Sequence, residues 1–290
     1  MDEIKVAIIG GSGFYRMEGI ADPEYREIDT PFGHPSEKIL TGSLEGKPIA
    51  FLSRHGLGHR INPSQVNYRA NLFALWELGV RFLISVTAVG SLREDLHPTD
   101  LVIPDQYFDA TCKREKTFFE NGVAVHVSMA RPTCTPFSTL ALQQARELGI
   151  QTHLGGTYYN MEGPQFSSIA ESEAYRKMGF SIIGMTQAVE AKLARELEMC
   201  FCPLAFVTDY DCWHPADDEV SVDMVVRNLN KNTTHARKLI GAIVRHLDLK
   251  GFSCNCRQAL QNALITDPDR LTPQVIRRLG PVLKKYLNHD

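Results

Sequence analysis

The amino-acid sequence predicts an α/β fold in which helices cover both faces of one sheet. Short apolar runs rich in β-branched residues alternate with segments in which apolar residues recur at helical spacing. No linker rich in Pro, Gly or Ser and no low-complexity stretch interrupts this alternation across the 290 residues. Because such alternation is typical of α/β domains, we expect one domain over 1–290, with a helical carboxyl-terminal tail over about 251–290.

Composition and charge exclude several classes of function. Hydrophobic residues make up 43% of the chain and charged residues 22%, as in an ordinary globular protein. The 31 basic and 34 acidic residues are interleaved, without the basic stripe that nucleic-acid binding requires. The charged start at Met1–Lys5 does not resemble a secretory signal, and no apolar run approaches the roughly 20 residues of a membrane helix. We therefore expect a cytoplasmic protein that binds neither nucleic acid nor membrane.

The first predicted strand leads into a glycine-rich turn. Residues 4–9 form a β-branched run, and Gly10-Gly11-Ser12-Gly13 follows it. The main-chain N–H groups and the serine hydroxyl of such a turn suit an anion. The dinucleotide fingerprint G-x-G-x-x-G fails, because Phe14-Tyr15-Arg16 follows the turn and no helical pattern begins there. A dinucleotide site is therefore not favoured.

A predicted hairpin carries the next polar strand end. Residues 38–41 and 48–53 are typical of its two strands, and the second strand ends in Arg54 and His55. Arginine is a fork-shaped donor that suits phosphate, although solvated charged loops are also common at strand ends.

The rest of the chain continues the alternation, apart from a polar connection over 104–121 that shows no repeat. The pattern predicts helices over 65–78, 135–149, 169–179, 187–198, 221–247 and 271–287, and strands over 80–89, 101–104, 153–161, 180–184 and 202–207. The strand over 80–89 ends with Thr87 and Ala88, and the strand over 180–184 leads into Met185 and Thr186.

Two aspartates, Asp209 and Asp211, follow the apolar run over 202–207. In an extended chain this spacing points both carboxylates to one side. In open α/β sheets ligands bind beyond the carboxyl ends of the strands, so the pair would face a ligand there. Taken alone, the pair is equally typical of solvated turn residues.

Five strand ends thus carry unusual polar groups, and a common crevice would collect them. They are Gly11-Ser12-Gly13, Arg54-His55, Thr87-Ala88, Met185-Thr186 and 208–211. Hydroxyls, glycine N–H groups and an arginine suit a phosphate, and paired carboxylates suit a ligand rich in hydrogen-bond donors. The set predicts a small molecule that carries phosphate or is attacked by it.

Seven segments resemble the nucleoside phosphorylases of the trimeric and hexameric type, and within that family the 5′-methylthioadenosine phosphorylases. They are IIGGSGF (8–14), DTPFGHPS (29–36), SRHGLGHRINPSQVNYRANL (53–72), TAVGSLRE (87–94), MEGPQFSSIAES (161–172), GMTQAVEAKLARE (184–196) and VTDYDCW (207–213). The resemblance spans most of the chain in the family's order. It implies a mixed, twisted central sheet flanked by helices on both faces.

The resemblance also implies residue roles. The phosphate site would comprise Ser12, Arg54, His55, Thr87, Ala88 through its backbone N–H, and Thr186. The substrate site would comprise Met185 beneath the ribose, Phe166 against the purine, Asp209 and Asp211 at the base, and His126, Val222 and Val225 around the 5′ group. The histidine would come from a neighbouring subunit of a homotrimer or homohexamer. Glu190 also matches the family's pattern.

The implied reaction is phosphorolysis of 5′-methylthioadenosine to adenine and 5-methylthioribose 1-phosphate. A protonated Asp209 near N7 would act as the general acid, with its pKa raised by burial beside Asp211. Phosphate would be co-substrate and nucleophile, so no metal or organic cofactor is expected. Because a carboxylate accepts hydrogen bonds from a 6-amino group but not from a 6-oxo group, the pair favours adenine.

The sequence departs from the family's pattern beside the ribose position. Gly184 stands where the family commonly has Asn, and Gln187-Ala188-Val189 stands where it has Thr-Val-Pro. These departures bear on sugar and 5′-group preference. A broader purine nucleoside phosphorylase acting on adenosine or methylthioinosine therefore stays open, as does a non-catalytic nucleoside-binding protein, which would not need the phosphate ligands.

The seven cysteines are expected to be reduced thiols of an intracellular protein. Cys200/Cys202 and Cys254/Cys256 have C-x-C spacing, unlike the C-x-x-C of common zinc sites, so we expect no metal. A disulfide within Cys254-Asn255-Cys256 would be strained and labile. The segment over 251–260 resembles a tail of bacterial and archaeal family members, some of which are hexamers and oxidise a similar C-x-C.

Overall fold

A computed structural model describes residues 3–214 and 222–287, with the side chains of 222–226 outside the description. Its strands are β1 (Val6–Gly10), β2 (Ala21–Arg26), β3 (Ile39–Leu44), β4 (Lys47–Ser53), β5 (Phe82–Ser91), β6 (Leu101–Ile103), β7 (Gln106–Asp109), β8 (Thr152–Leu154), β9 (Thr157–Asn160), β10 (Ile182–Gly184) and β11 (Cys200–Asp209). Its helices are α1 (Tyr68–Glu77), α2 (Thr135–Glu147), α3 (Ile169–Lys177), α4 (Gln187–Glu196), α5 (Val222–His246) and α6 (Pro273–Leu287).

The strands form one mixed sheet, which confirms the predicted α/β fold class. The main order is β2-β3-β4-β1-β5-β10-β9-β7, and the sheet branches at β5, which also pairs with β11. Strand β1 is parallel to β4 and β5, and β11 is parallel to β5, whereas β10 is antiparallel to β5. The carboxyl ends of β1, β4, β5 and β11 therefore meet at one edge of the sheet.

The two faces of the sheet bury separate hydrophobic clusters. Along β1, Val6 and Ile8 belong to one cluster and Ala7 and Ile9 to the other, as the alternation of side chains along a strand requires. The face of Val6 is covered by α2 and α5, and the opposite face by α1, α4 and α6. Burying an aliphatic side chain contributes about 1.5–3 kcal/mol, so both helix layers stabilise the sheet.

Local signals explain where several helices begin. Asn67 accepts a hydrogen bond from the N–H of Ala70 and caps α1, so this helix starts three residues later than the apolar pattern suggested. Ser168 and Glu171 form a reciprocal capping box at the start of α3.

Three parts of the sheet differ from the sequence prediction. Strands β2 and β7 were not predicted, because β2 is an exposed polar strand and β7 lies in the connection that shows no repeat. The single strand predicted over 153–161 is two strands, β8 and β9. Gly155 and Gly156 separate them with φ angles of 94° and 105°, which favour glycine and break the strand. Among the described residues, no helix is both long and apolar enough to cross a membrane.

Candidate active site

The polar groups predicted at separate strand ends lie side by side in the structure. A Cβ atom on Gly11, after β1, would lie 2.5 Å from Nη1 of Arg54, after β4, and 3.4 Å from Cα of Thr87 in β5. A Cβ on Gly90, further along β5, would lie 3.1 Å from Oδ1 of Asp209 at the end of β11. Strand β5 therefore connects a cationic region at Arg54 with a carboxylate region at Asp209, and glycine allows the close approach at both.

Arg54 is fully buried and held by an ion pair with Glu190 of α4. Its Nε donates to Oε1 of Glu190 at 2.5 Å and its Nη2 to Oε2 at 3.0 Å. Nη2 also donates to Oγ of Ser85, and Nη1 donates to the carbonyl oxygen of Val86. Since a guanidinium has five N–H groups, these four bonds leave one hydrogen on Nη1, the atom beside Gly11. Glu190 thus fixes the arginine, whose remaining donor can bind an anion.

His55 is a neutral, rigid ring. Its Nδ1 lies 2.9 Å from the carbonyl oxygen of Ile61, which can only accept, so Nδ1 carries the hydrogen. The ring stacks on His59 with centroids 4.2 Å apart. Burial, together with the charge of Arg54, lowers the pKa of His55 to about 3. At neutral pH the ring therefore presents Nε2 as an acceptor.

Thr186 carries a buried hydroxyl that has no hydrogen-bond partner among the described residues. It is the N-cap of the ten-residue helix α4, but its side chain does not cap the helix. Buried hydroxyls in proteins are almost always hydrogen-bonded, and helix N-termini favour anions. An anion at this position would accept the hydrogen bond that Thr186 does not make within the protein.

The remaining predicted phosphate ligands are Ser12, after β1, and Thr87 and Ala88, within β5. Ser12 is half-buried in the turn after β1, where Phe14 N–H donates to the carbonyl of Gly11. Thr87 is buried and donates from its hydroxyl to the carbonyl oxygen of Ala88 at 3.2 Å. The structure thus places the predicted phosphate set where β1, β4 and β10 end beside the interior of β5, which continues past Thr87 and Ala88 to Ser91.

The aspartate pair has a different local geometry from the one expected. Strand β11 bulges between Val207 and Asp209 and ends at Asp209, and Asp211 has a φ of 56°. The prediction that an extended chain points both carboxylates to one side is therefore wrong, because the chain turns after Asp209. Both residues still lie beside Gly90, whose Cβ would be 3.3 Å from Cβ of Asp211.

Hydrogen bonds orient the carboxylate of Asp209. Its Oδ1 accepts from the main-chain N–H of Asp211 at 2.8 Å and its Oδ2 from the hydroxyl of Thr208 at 2.6 Å. Burial raises the pKa of Asp211, although the nearby hydroxyls of Ser172 and Ser167 counter the shift. The pair thus combines one oriented carboxylate with one that retains a proton more readily.

A set of phosphate-type ligands joined by β5 to a carboxylate pair agrees with what is known of similar proteins. Residues 5–245 match the model of the phosphorylase superfamily. The chain belongs to the phosphorylase superfamily. It is 48% identical to S-methyl-5′-thioadenosine phosphorylase from Chloroflexus aurantiacus, with 99% of both chains covered.

Solved structures of this superfamily share the fold. A methylthioadenosine phosphorylase sourced from an antarctic soil metagenomic library superposes with a TM-score of 0.92 at 45% identity, covering 98% of this chain and 100% of the other. Methylthioadenosine phosphorylase from Schistosoma mansoni, in complex with adenine, gives a TM-score of 0.80 at 36% identity, covering 83% and 91%.

The predicted substrate residues of this superfamily member lie in three places. Met185 is adjacent to Thr186 and packs against Gly163, where a Cβ would be 2.5 Å from the methionine sulfur. Phe166 lies in the loop before α3 and is 85% exposed, so its ring is not packed against the described residues. His126 is exposed, and its N–H donates to the carbonyl of Ala263, beside the carboxyl-terminal segment. The side chains of Val222 and Val225 lie outside the described residues.

Tyr158 explains the departure at Gly184. A Cβ on Gly184 would lie 2.0 Å from the hydroxyl oxygen of Tyr158, so a larger residue does not fit beside this tyrosine. The same hydroxyl accepts from the N–H of Thr186 at 3.4 Å; burial raises the phenol pKa, and this bond and the charge of Arg54 counter the shift. Tyr158 thus contacts Thr186, a predicted phosphate ligand. No pattern in the sequence marks it as a site residue, because it lies within a buried strand of aromatic and polar residues.

Arg114 is a second site residue that the sequence did not predict. It is buried in the connection over 104–121, where no periodic pattern marks it. Its Nε donates to Oε1 of Glu162 at 3.1 Å, and its Nη1 donates to the carbonyl of Met185. Burial favours the neutral acid at Glu162, but hydrogen bonds from Ser64 and the main chain, with the charge of Arg114, lower its pKa to about 2. This ion pair positions Met185.

Proposed function

We propose that this protein cleaves the N-glycosidic bond of 5′-methylthioadenosine with phosphate, giving adenine and 5-methylthioribose 1-phosphate. The observation that carries the proposal is the buried, unpaired Thr186 hydroxyl, together with the Arg54 donor beside Gly11, which β5 joins to Asp209. Binding a nucleoside alone would need no such set of phosphate-type ligands. The names of the relatives support the same reaction and substrate.

Phosphate would be bound by Arg54, Thr87 and Thr186, with Ser12, His55 and the N–H of Ala88 as further ligands. Because Glu190 already neutralises Arg54, the charge of phosphate stays available to stabilise the oxocarbenium-like sugar as the bond breaks. Phosphate attacks C1′ as the nucleophile, so the reaction requires no organic cofactor. The neutral His55 ring can accept a hydrogen bond from a hydrogenphosphate ion through Nε2.

The aspartates would serve the leaving purine. Asp209, oriented by Thr208 and the N–H of Asp211, would transfer a proton to N7 as the glycosidic bond breaks. Burial raises the pKa of Asp211, so this member of the pair retains a proton more readily. A 6-amino group donates to these carboxylates, whereas a 6-oxo group would leave acceptors facing each other at a cost of about 1–3 kcal/mol.

The direct test follows adenine release from 5′-methylthioadenosine with and without phosphate. We expect release only with phosphate, together with one 5-methylthioribose 1-phosphate per adenine. Equal release without phosphate would indicate a hydrolase, and no release under either condition would exclude catalysis. Adenosine, inosine and 5′-methylthioinosine in the same assay separate the proposed enzyme from a broader purine nucleoside phosphorylase, which the Gly184 and Tyr158 departure makes the second candidate.

A substitution tests base recognition. Asp209→Asn supplies an amide donor, so we expect kcat/KM for adenine nucleosides to fall by at least 100-fold and the ratio of 6-oxo to 6-amino activity to rise. Exposed Asp105→Asn is the matched control and should leave the ratio unchanged. Unchanged adenine preference in Asp209→Asn would contradict this assignment.

We further propose a homotrimer or homohexamer in the cytoplasm. His126 is exposed and lies beside the carboxyl-terminal segment, so a role at the 5′ group requires a neighbouring subunit, and the exposed Phe166 ring is another apolar surface that a substrate or neighbour would cover. Light scattering after size-exclusion chromatography gives the mass: a monomer would contradict the proposal. Cell fractionation tests the location.

A further inference from the structure

Four cysteine side chains from three distant segments converge beside the start of β11. Cys134 precedes α2, Cys200 begins β11, and Cys254 and Cys256 belong to the carboxyl-terminal segment. Their four sulfur atoms all lie within 4.8 Å of one another, and those of Cys200 and Cys254 are 3.3 Å apart. Three of these residues are buried and Cys254 is half-buried. We call them the four-cysteine cluster.

The spacing of the sulfur atoms fits a single metal ion. Four thiolates at about 2.3 Å from a tetrahedral Zn²⁺ lie about 3.8 Å from one another. A disulfide instead requires sulfur atoms about 2.05 Å apart, and all four cysteines are free thiols in the structure. An iron–sulfur cluster also fits poorly, because its own sulfide ions hold the cysteine ligands further apart. Tetrahedral coordination by sulfur alone favours zinc.

The main chain holds two of the ligands firmly. The N–H of Cys134 donates to the carbonyl of Phe201 at 2.9 Å, and the N–H of Cys200 donates to the carbonyl of Arg81 at 2.7 Å. The carbonyl of Cys256 accepts from Ala259 in the turn that follows. The ligands are therefore presented by a helix start, a central strand and a short turn.

Charge and access also suit a cation bound by thiolates. Three of the four cysteines, Cys134, Cys254 and Cys256, line a cavity of about 730 Å³, which provides an entry path. Arg131 and Arg195 line the same cavity. A zinc ion with four thiolates carries a net charge of −2, so two nearby guanidinium groups would stabilise the filled site.

We propose that the four-cysteine cluster binds one Zn²⁺ and so fastens the carboxyl-terminal segment to the start of β11. On binding, each thiol releases its proton to solvent and forms a Zn–S bond, and no electron is transferred. This proposal replaces the expectation of no metal. That expectation considered each C-x-C pair separately. The site instead combines Cys254 and Cys256 with Cys200 from the other pair and with Cys134.

Metal content and thiol reactivity test the proposal on the full chain. Reduced protein, reconstituted with Zn²⁺ under argon and freed of excess ion, should contain one zinc per chain by plasma mass spectrometry. A thiol reagent should then react with four more thiols after chelation than before. Substoichiometric zinc after reconstitution, or iron in place of zinc, would overturn the proposal, as would a disulfide within the cluster that persists until reductant is added and whose reduction yields no zinc binding.

Two further measurements guard against misfolding of a variant. Cys256→Ser should lose at least nine-tenths of the zinc, while Cys202→Ala, a buried cysteine on the same strand whose sulfur contacts the carbonyl of Phe137, should keep it. If Cys256→Ser does not fold, cobalt replaces zinc in the unmutated protein. Intense visible bands with sulfur-to-cobalt charge transfer identify tetrahedral thiolate ligation, whereas the weak spectrum of octahedral cobalt would overturn it.

Discussion

Thr186 shows how one side chain can favour binding over stability. Its buried hydroxyl has no hydrogen-bond partner among the described residues, although it stands at the start of α4 beside Tyr158. An unpaired buried hydroxyl costs about 1–3 kcal/mol, so the free protein bears a cost that a bound anion would remove. Unsatisfied polar groups of this kind are found at the ligand sites of many proteins.

Thr186→Val tests that interpretation. Removing the hydroxyl while keeping the shape should raise the KM for phosphate about 10–100-fold, since a hydrogen bond to a charged group contributes about 1.5–3 kcal/mol. The melting temperature without phosphate should stay the same or rise. Initial rates against phosphate concentration and thermal melts provide both values. Thr139→Val, on the exposed side of α2, is the control, and a phosphate KM unchanged in Thr186→Val would contradict the assignment.

Gly184 and Tyr158 form a complementary pair. Because a Cβ at 184 would lie 2.0 Å from the tyrosine oxygen and 2.6 Å from Cζ, Gly184→Ala should lower the free energy of unfolding by about 1–3 kcal/mol. Tyr158→Leu removes the ring that the new Cβ would meet. In the Tyr158→Leu protein, Gly184→Ala should therefore cost much less free energy of unfolding than it costs in the unmutated protein. Chemical denaturation of the four proteins measures the coupling. Simple additivity of the two changes would show that the contact does not limit residue 184.

At the scale of single elements, the sequence predicted helices better than edge strands. The helices were found because each buries one apolar stripe against the sheet, as α4 does with Val189 and Leu193. Strand β2 consists of polar, exposed residues at the edge of the sheet, so hydrophobic alternation does not mark it. Its strand state depends on pairing with β3, which no local pattern reveals.

The site residues likewise fall into those that the sequence predicted and those that only the structure reveals. The glycines, Arg54, Thr186 and the aspartates stand at strand ends, where parallel topology places ligand-binding residues, so the sequence could bring them together. Tyr158 and Arg114 reach the site from a buried strand and an irregular connection, and only tertiary packing shows their contacts. Asp211 illustrates the remaining limit, because its backbone turn with φ of 56° cannot be read from residue spacing.

Helix α4 also carries a pH-sensitive group at its carboxyl end. Glu196 lies in the last turn, and its oxygens accept from Thr117 and the N–H of Phe118, both at 2.7 Å. Burial raises its pKa to about 7 despite these bonds, and the negative end of the helix dipole acts in the same direction. The folded protein therefore binds a proton there that the unfolded chain, with a pKa near 4.5, has released at neutral pH.

This difference predicts a loss of stability with rising pH. Protonation of Glu196 contributes about 3 kcal/mol to the free energy of unfolding. This contribution is complete below about pH 4.5 and disappears as pH rises through about 7. Glu196→Gln should remove this dependence, while Glu147→Gln, at the exposed end of α2, should retain it. Urea denaturation at pH 5 and pH 8 measures the effect. Parallel pH profiles for the unmutated protein and Glu196→Gln would contradict it.

On the scale of the whole molecule, the carboxyl-terminal tail is part of the core. Helix α6 shares the hydrophobic cluster of α1 and α4 through Val275, Leu279, Val282 and Leu283. The zinc site proposed above would fasten the preceding segment to the opposite end of the same sheet strand that ends in Asp209. The tail therefore stabilises the helix layer that contains α4, whose Glu190 holds Arg54 in place.

A matched pair of truncations on α6 tests whether the tail is structural. Leu279 is fully buried, so Leu279→Ala should lower the free energy of unfolding by about 2–5 kcal/mol. Ile276 on the same helix is 47% exposed, and Ile276→Ala should cost much less because most of its surface already contacts water. Both variants should keep the KM for phosphate, since neither residue reaches the strand ends. Denaturation midpoints and initial rates separate the two effects. Equal destabilisation by the two variants would mean that α6 does not pack on the sheet as described, and the fastening of the tail would then lose its structural basis.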